Sequence, residues 1–171
     1  MATTSETRSP GQMARESFEA LFDRRDFDAV RSFWTESSVD HFLALGIDVR
    51  GPKSLEAFFR ELFAAVPDYR MTIENIVEDD RHATVQWTGT GTFKGESFQG
   101  LEPTGKRITL RGCDVMRFTT EGKLDENTVY YDGAEFARQI GILPPRGSAM
   151  DKGMTEVFNT VTKLRGRIAE W

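Results

Sequence analysis

The chain has 171 residues, room for one domain and a tail. A hydrophobic share of 39% and a charged share of 29% fit an ordinary soluble globular protein. A net charge of -5 with no basic cluster argues against nucleic-acid binding, and the single cysteine rules out a disulfide framework or a multi-cysteine zinc site.

Residues 1–11 are polar and Thr/Ser-rich with no hydrophobic centre, which reads as a disordered leader rather than a secretory signal. A cytoplasmic location follows as the default, and no apolar run approaches the roughly eighteen residues of a membrane span. Met13, Phe18, Leu21 and Phe22 then recur at helical spacing, and Phe27 to Trp34 predicts a second short helix. Val39 to Leu45 reads as a short strand on which Asp40 and His41 take opposite faces, either of which could be the inward one. Ser54 is placed as the cap of a third helix, whose apolar face is Leu55, Phe58, Phe59, Leu62 and Phe63 and which stops before Pro67.

From Tyr69 the period changes to two, over Met71 to Glu78, Ala83 to Phe93, Arg107 to Phe118 and Leu124 to Tyr131. Helices first and strands later predict an α+β domain, with helices packed on one face of an antiparallel sheet. In the third of these strands Ile108, Leu110, Gly112, Asp114, Met116 and Phe118 share a face, so Asp114 sits in apolar company. A carboxylate there must be protonated, paired, or lining a cavity, and Cys113 on the other face reads as packing. A loop of Thr120, Glu121 and Gly122 closes the hairpin and sets Phe118 opposite Leu124, Asp114 opposite Thr128 and Leu110 opposite Asp132. Asp114 and Asp132 then lie about 13 Å apart, too far to share a proton but able to hold two ends of one ligand. Asp132 could equally cap the helix Gly133 to Gln139. Tyr130 falls on the Thr128 and Asp132 face as a phenol donor, whereas Trp87 is either cavity wall or outer core. His82 is expected in solvent.

Beyond a linker at Ile142 to Ser148, Met154, Val157, Phe158, Val161, Leu164, Ile168 and Trp171 form an amphipathic stripe. It suits packing on its own domain or on a dimer mate, with a membrane surface or a partner groove as the alternative. The organisation expected is a leader over 1–11, a domain over 12–143, and a linker with C-terminal helix over 144–171.

Several segments carry a family resemblance: Gly46 with Gly51-Pro52, Ala64-Ala65-Val66-Pro67-Asp68, Gly91-Thr92-Phe93-Lys94-Gly95, Pro103-Thr104-Gly105-Lys106, Arg117-Phe118, Gly122-Lys123, and Tyr131-Asp132 leading to Gln139-Ile140-Gly141. In order and spacing, from about Ser17 to Leu143, the chain resembles the SnoaL-like polyketide cyclases of the NTF2-like superfamily. The resemblance implies a cone of helices against a curved antiparallel sheet, an apolar cavity inside, and frequent homodimers. Ketosteroid isomerases share that cone and carry an Asp at the position of Asp114, kept neutral to donate to an oxyanion. By the same comparison their general base falls at about His41, and their oxyanion tyrosine near Phe18, which lacks a hydroxyl. The cyclase Asp expected near Thr128-Val129 is absent, and the family's Gly-Thr-His is Gly91-Thr92-Phe93 here.

These readings converge on a cofactor-independent acid–base enzyme of polyketide-type secondary metabolism. It would cyclise, isomerise or dehydrate a hydrophobic oxygenated ring through an enolate. Asp114, His41 and Asp132 are the candidate catalytic residues; Phe18, Trp87, Phe93, Met116, Phe118, Thr128 and Tyr130 are the candidate substrate contacts. No metal site is expected from two scattered histidines and one cysteine. The alternatives are a ligand-binding or interaction module without turnover and, ranked lower, an epoxide hydrolase; for the latter Arg111 and Arg117 point away from Asp114.

Overall fold

Ser9 opens the first helix through a reciprocal cap: its hydroxyl accepts the Gln12 N–H, and its own N–H donates to the Gln12 side chain. Two otherwise orphaned donors are satisfied, and Pro10 takes the first helical position, where it lacks only an N–H the helix would not use. In this computed structural model, which describes residues 8–169, helix α1 spans Pro10–Phe18 and continues into one π turn, Glu19–Asp23. Most of the expected leader lies outside the described residues, but Pro10 and Gly11 already belong to α1.

Helix α2 (Phe27–Arg31) is capped by Asp26 and is shorter than the pattern suggested. Strand β1 (Val39–Phe42) ends where the chain turns back at Gly46 into β2 (Ile47–Arg50), a strand too short to have shown a period. Helix α3 (Gly51–Ala65) starts three residues before Ser54, because extended Arg50 and Pro52 already set its first turn; no side chain caps it. Then follow β3 (Arg70–Glu78), β4 (His82–Thr92), β5 (Arg107–Phe118), β6 (Leu124–Tyr131), α4 (Gly133–Ile140) and α5 (Ala149–Ala169).

The strands form one sheet in the order β2-β1-β6-β5-β4-β3, open at β2 and β3. Every neighbouring pair is antiparallel except β1 and β6, which run parallel with Asp40 beside Asn127. The inner face of the sheet, α1, the π turn and α3 enclose a core rich in aromatics. Phe58 and Phe59 of α3 pack on Phe42 of β1, and Phe59 and Phe63 meet Phe22 of the π turn edge-on. Each fully buried Phe contributes about 1.5–3 kcal/mol relative to exposure, so this cluster anchors the helical layer to the sheet.

One irregularity decides which residues face the core. Phe118 pairs with Leu124 as the hairpin predicts, but Arg117 pairs with Glu126, leaving Asp125 as an extra residue in β6. This β-bulge changes the face of every later position. Asp114 therefore lies opposite Val129 rather than Thr128, and Gly112 opposite Tyr131. Asn127, Val129 and Tyr131 point inward, while Thr128 points outward with Tyr130, which is 48% exposed.

Helix α5 carries the amphipathic stripe, but no described element covers it: Met150, Met154, Val157, Phe158, Val161 and Leu164 are all exposed. The Ile168 and Trp171 side chains of the expected stripe lie outside the described residues. The start of α5 is tied to α4 by Arg138, which donates to the Pro144 carbonyl at 2.7 Å and approaches Asp151 at 3.6 Å. Among the described residues no helix is long and apolar enough to cross a membrane.

Candidate active site

Between the helical layer and the sheet lies a cavity with aromatic and aliphatic walls. Phe22 and α3 residues Phe58, Phe59 and Leu62 form one side; Ile108, Leu110 and Val129 line the sheet side, and Phe136 of α4 approaches its rim. Asp114 is the one charged side chain among the lining residues.

Asp114 is held as an acceptor. The Trp87 indole N–H donates to Oδ1 at 2.7 Å, and the Asn127 amide donates to Oδ2 at 2.8 Å. Burial pushes the Asp114 carboxyl up to about 6, while the bonds from Asn127 and Trp87 pull against that rise. Near neutral pH the group is thus mostly an anion in a nonpolar enclosure, poised to take a proton.

Two phenols complete the polar inventory. Tyr69 and Tyr131 line the cavity, and among the described residues neither hydroxyl has a hydrogen-bond partner. Burial, the charge of Asp114 and the neighbouring Tyr131 raise the Tyr69 phenol well above its ordinary value. Burial alone pushes Tyr131 up to about 12. Both stay protonated and available as donors to a developing oxyanion.

Glycines in the strands make room for these rings. A Cβ on Gly89 would lie 2.4 Å from the Tyr69 hydroxyl, and one on Gly112 would lie 2.5 Å from the Trp87 ring. Glycine inside a strand, otherwise a cost, here marks close approach.

The structure brings together Asp114, Trp87 and Phe93 at the cavity and places the other expected residues elsewhere. His41 faces away, because Asp40 and Phe42 are the inward side chains of β1; its ring meets Asp48 at 2.7 Å and Glu126 at 3.4 Å. Asp132 caps α4 by accepting the Glu135 N–H at 2.9 Å. Phe18 is buried against Phe22 and does not line the cavity, and neither do Met116 or Phe118, which fill the core on the Asp114 face. Thr128 and Tyr130 are turned outward by the bulge. Asp40 is the inward one of the two alternatives the sequence left on β1, whereas Tyr69, Tyr131 and Asn127 carry no role in the sequence reading; the isolated glycines of β4 and β5 are the available signal for the buried rings.

Helices over one face of an open, mainly antiparallel sheet, with an acid set in an apolar interior, define an NTF2-like α+β protein. The SnoaL-like polyketide cyclase family model matches residues 12–140, and the chain belongs to that family. Among solved structures it is similar to AclR, a candidate hydroxylase from Streptomyces galilaeus, at 18% identity over 90% of this chain and 94% of that one, with a TM-score of 0.66. A candidate SnoaL-like polyketide cyclase from Jannaschia sp. CCS1 is 23% identical over 82% of this chain and 100% of its own, with a TM-score of 0.67. A Catenulispora acidiphila protein with a ketosteroid isomerase-like fold, solved with trimethylamine, is 15% identical over 81% and 100%, with a TM-score of 0.65. No curated protein sequence matches the chain.

Proposed function

We propose that the protein is an acid–base enzyme working without a cofactor on a hydrophobic, oxygenated ring compound of polyketide type. The observation that carries this reading is Asp114: one carboxylate facing an apolar cavity, gripped by two N–H donors, with its ionisation near pH 6. In the forward step the Asp114 carboxylate takes a proton from carbon next to a ring carbonyl, and the C–H electron pair moves into an enolate. Tyr69 or Tyr131 donates a hydrogen bond to the enolate oxygen. Where a C=C bond is conjugated with the enolate, Asp114 returns the proton at the far carbon, giving isomerisation. Otherwise the enolate carbon attacks a second carbonyl, whose π pair becomes an alkoxide that takes the proton back from Asp114, giving ring closure. The Trp87 and Asn127 N–H groups hold the carboxylate in place throughout.

The test is deuterium uptake from D2O at the acidic C–H of a bicyclic 1,3-diketone, followed by NMR with native protein and Asp114→Asn. Native protein should accelerate uptake, and the variant should lose it by about 100-fold or more. Equal uptake by both would remove Asp114 from catalysis. Binding without turnover is the second reading, favoured by His41 and Asp132 lying outside the cavity. It expects the diketone to bind both proteins and to exchange with neither.

A further inference from the structure

Asp40 is a buried acid that the mechanism above does not use. It lies on β1, separated by β6 from the β5 strand that carries Asp114, is only 3% exposed, and does not line the cavity. The parallel pairing of β1 with β6 sets it beside Asn127. The Asn127 amide therefore stands between two carboxyls, donating to Asp114 at 2.8 Å and to Asp40 at the long distance of 3.5 Å. Asp40 Oδ1 and Asn127 Oδ1 are both sealed from solvent with no donor among the described residues.

With both acids ionised, two buried anions and an amide oxygen would have only the Asn127 N–H2 group and the Trp87 N–H among them. Buried acceptors left without donors are costly, and two carboxylates in one enclosure do not both ionise readily. The hydrogen bonds decide which acid keeps the proton. Asp114 has two short N–H donors, whereas Asp40 has one long one, so the anion belongs on Asp114.

We propose that Asp40 is a positioning residue that stays protonated and gives its acid proton to the Asn127 carbonyl, fixing the amide with its N–H2 toward Asp114. One proton satisfies both orphaned acceptors. It also makes Asp114 the sole anion of the site, the reverse of the neutral donor that the ketosteroid isomerase resemblance implied for Asp114. Burial and the charge of Asp114 both push Asp40 well above the ordinary carboxylate range. No other titratable group faces it among the described neighbours. Its partner on β2 is Val49, Phe58 and Phe59 of α3 pack on adjoining Phe42, and His41, Asp48 and Glu126 lie on the opposite face of the sheet. The proposed role in turnover rests on Asp114 being the cavity base; the protonation states do not.

The deciding experiment is a carboxyl 13C NMR titration of the full-length protein, with each signal assigned by through-bond correlation to its own backbone amide. Asp114 should titrate with a midpoint near 6, while Asp40 keeps its acid-form shift through that transition and at pH 7. Asp40→Asn, which retains a neutral donor, should leave the Asp114 midpoint within about half a pH unit. Asp40→Leu, which removes the donor, should raise that midpoint and slow deuterium uptake, with Asn at position 40 restoring both. An ionised Asp40 at pH 7 overturns the proposal. So does a fall of about one pH unit or more in the Asp114 midpoint with Asp40→Asn, because that would mean an anion had been removed. The native titration decides the matter even where a variant fails to fold. A titration as expected with no deuterium uptake would leave Asp40 protonated and discard only the catalytic reading.

Discussion

Trp87 reports on Asp114 directly, since its indole N–H is bonded to the carboxylate that titrates. Its emission should shift with pH about a midpoint near 6, and the transition should vanish in Asp114→Asn. Gly89 offers a second test at the level of single atoms. Gly89→Ala drives a methyl group into the Tyr69 hydroxyl and should destabilise the fold by about 1–3 kcal/mol. Adding Tyr69→Phe removes the closest clashing atom and should recover part of that loss in a denaturant titration; no recovery would place the clash elsewhere. Asp114 was legible because its neighbours two residues away are apolar, a pattern that needs no tertiary information. Asp40 and His41 were not separable, because parity along a four-residue strand fixes which residues share a face but not which face is inside.

At the scale of elements, β5 and β6 were legible to the residue, because long alternating runs bounded by a Gly122 turn leave little choice. What the turn could not reveal was the extra residue at Asp125. A regular hairpin would have carried Glu126 onto the apolar face, and that conflict is the sequence trace of the bulge. Arg117 holds the bulge from outside by binding two successive carboxylates, Asp125 at 3.2 Å and Glu126 at 2.5 Å. Helix α5 differs in kind from the other helices, since it is amphipathic in sequence yet uncovered. Phe158→Ser should change unfolding stability by no more than about 0.5 kcal/mol, whereas Phe118→Ala should cost about 3–5 kcal/mol, both read from chemical denaturation. A large loss from Phe158→Ser would mean that α5 is covered in solution.

For the molecule as a whole, the buried acids set a pH dependence of stability. Asp114 ionises near 3.8 in the unfolded chain and near 6 when folded, so the folded state binds this proton more tightly. Its contribution is fully present below the unfolded value and is lost as pH rises through about 6, a swing of ~3 kcal/mol. Asp40, raised further, acts in the same direction. Asp114→Asn should therefore be more stable than native protein at pH 8 by ~1–3 kcal/mol and nearly equal to it at pH 4. A native protein that gains stability steadily from pH 4 to 8, with the variant following in parallel, would contradict this assignment. The fold class and the helix-then-sheet order were legible because they follow from period and order alone. The part of the cavity lining that β6 supplies was not, since it depends on a register shift that composition does not carry.

The bulge means that this one sequence is written for two interiors. In the observed register Asn127, Val129 and Tyr131 are inside; in the unbulged alternative Glu126, Thr128 and Tyr130 would take their places. The charge of Glu126 weighs against the second arrangement, because it would have to leave water. An apolar β-branched residue at position 126, on the outer surface and touching no ligand, would lift that veto. A lineage could then exchange an inward face of amide and phenol for one of hydroxyl and phenol without altering any residue that lines the present cavity.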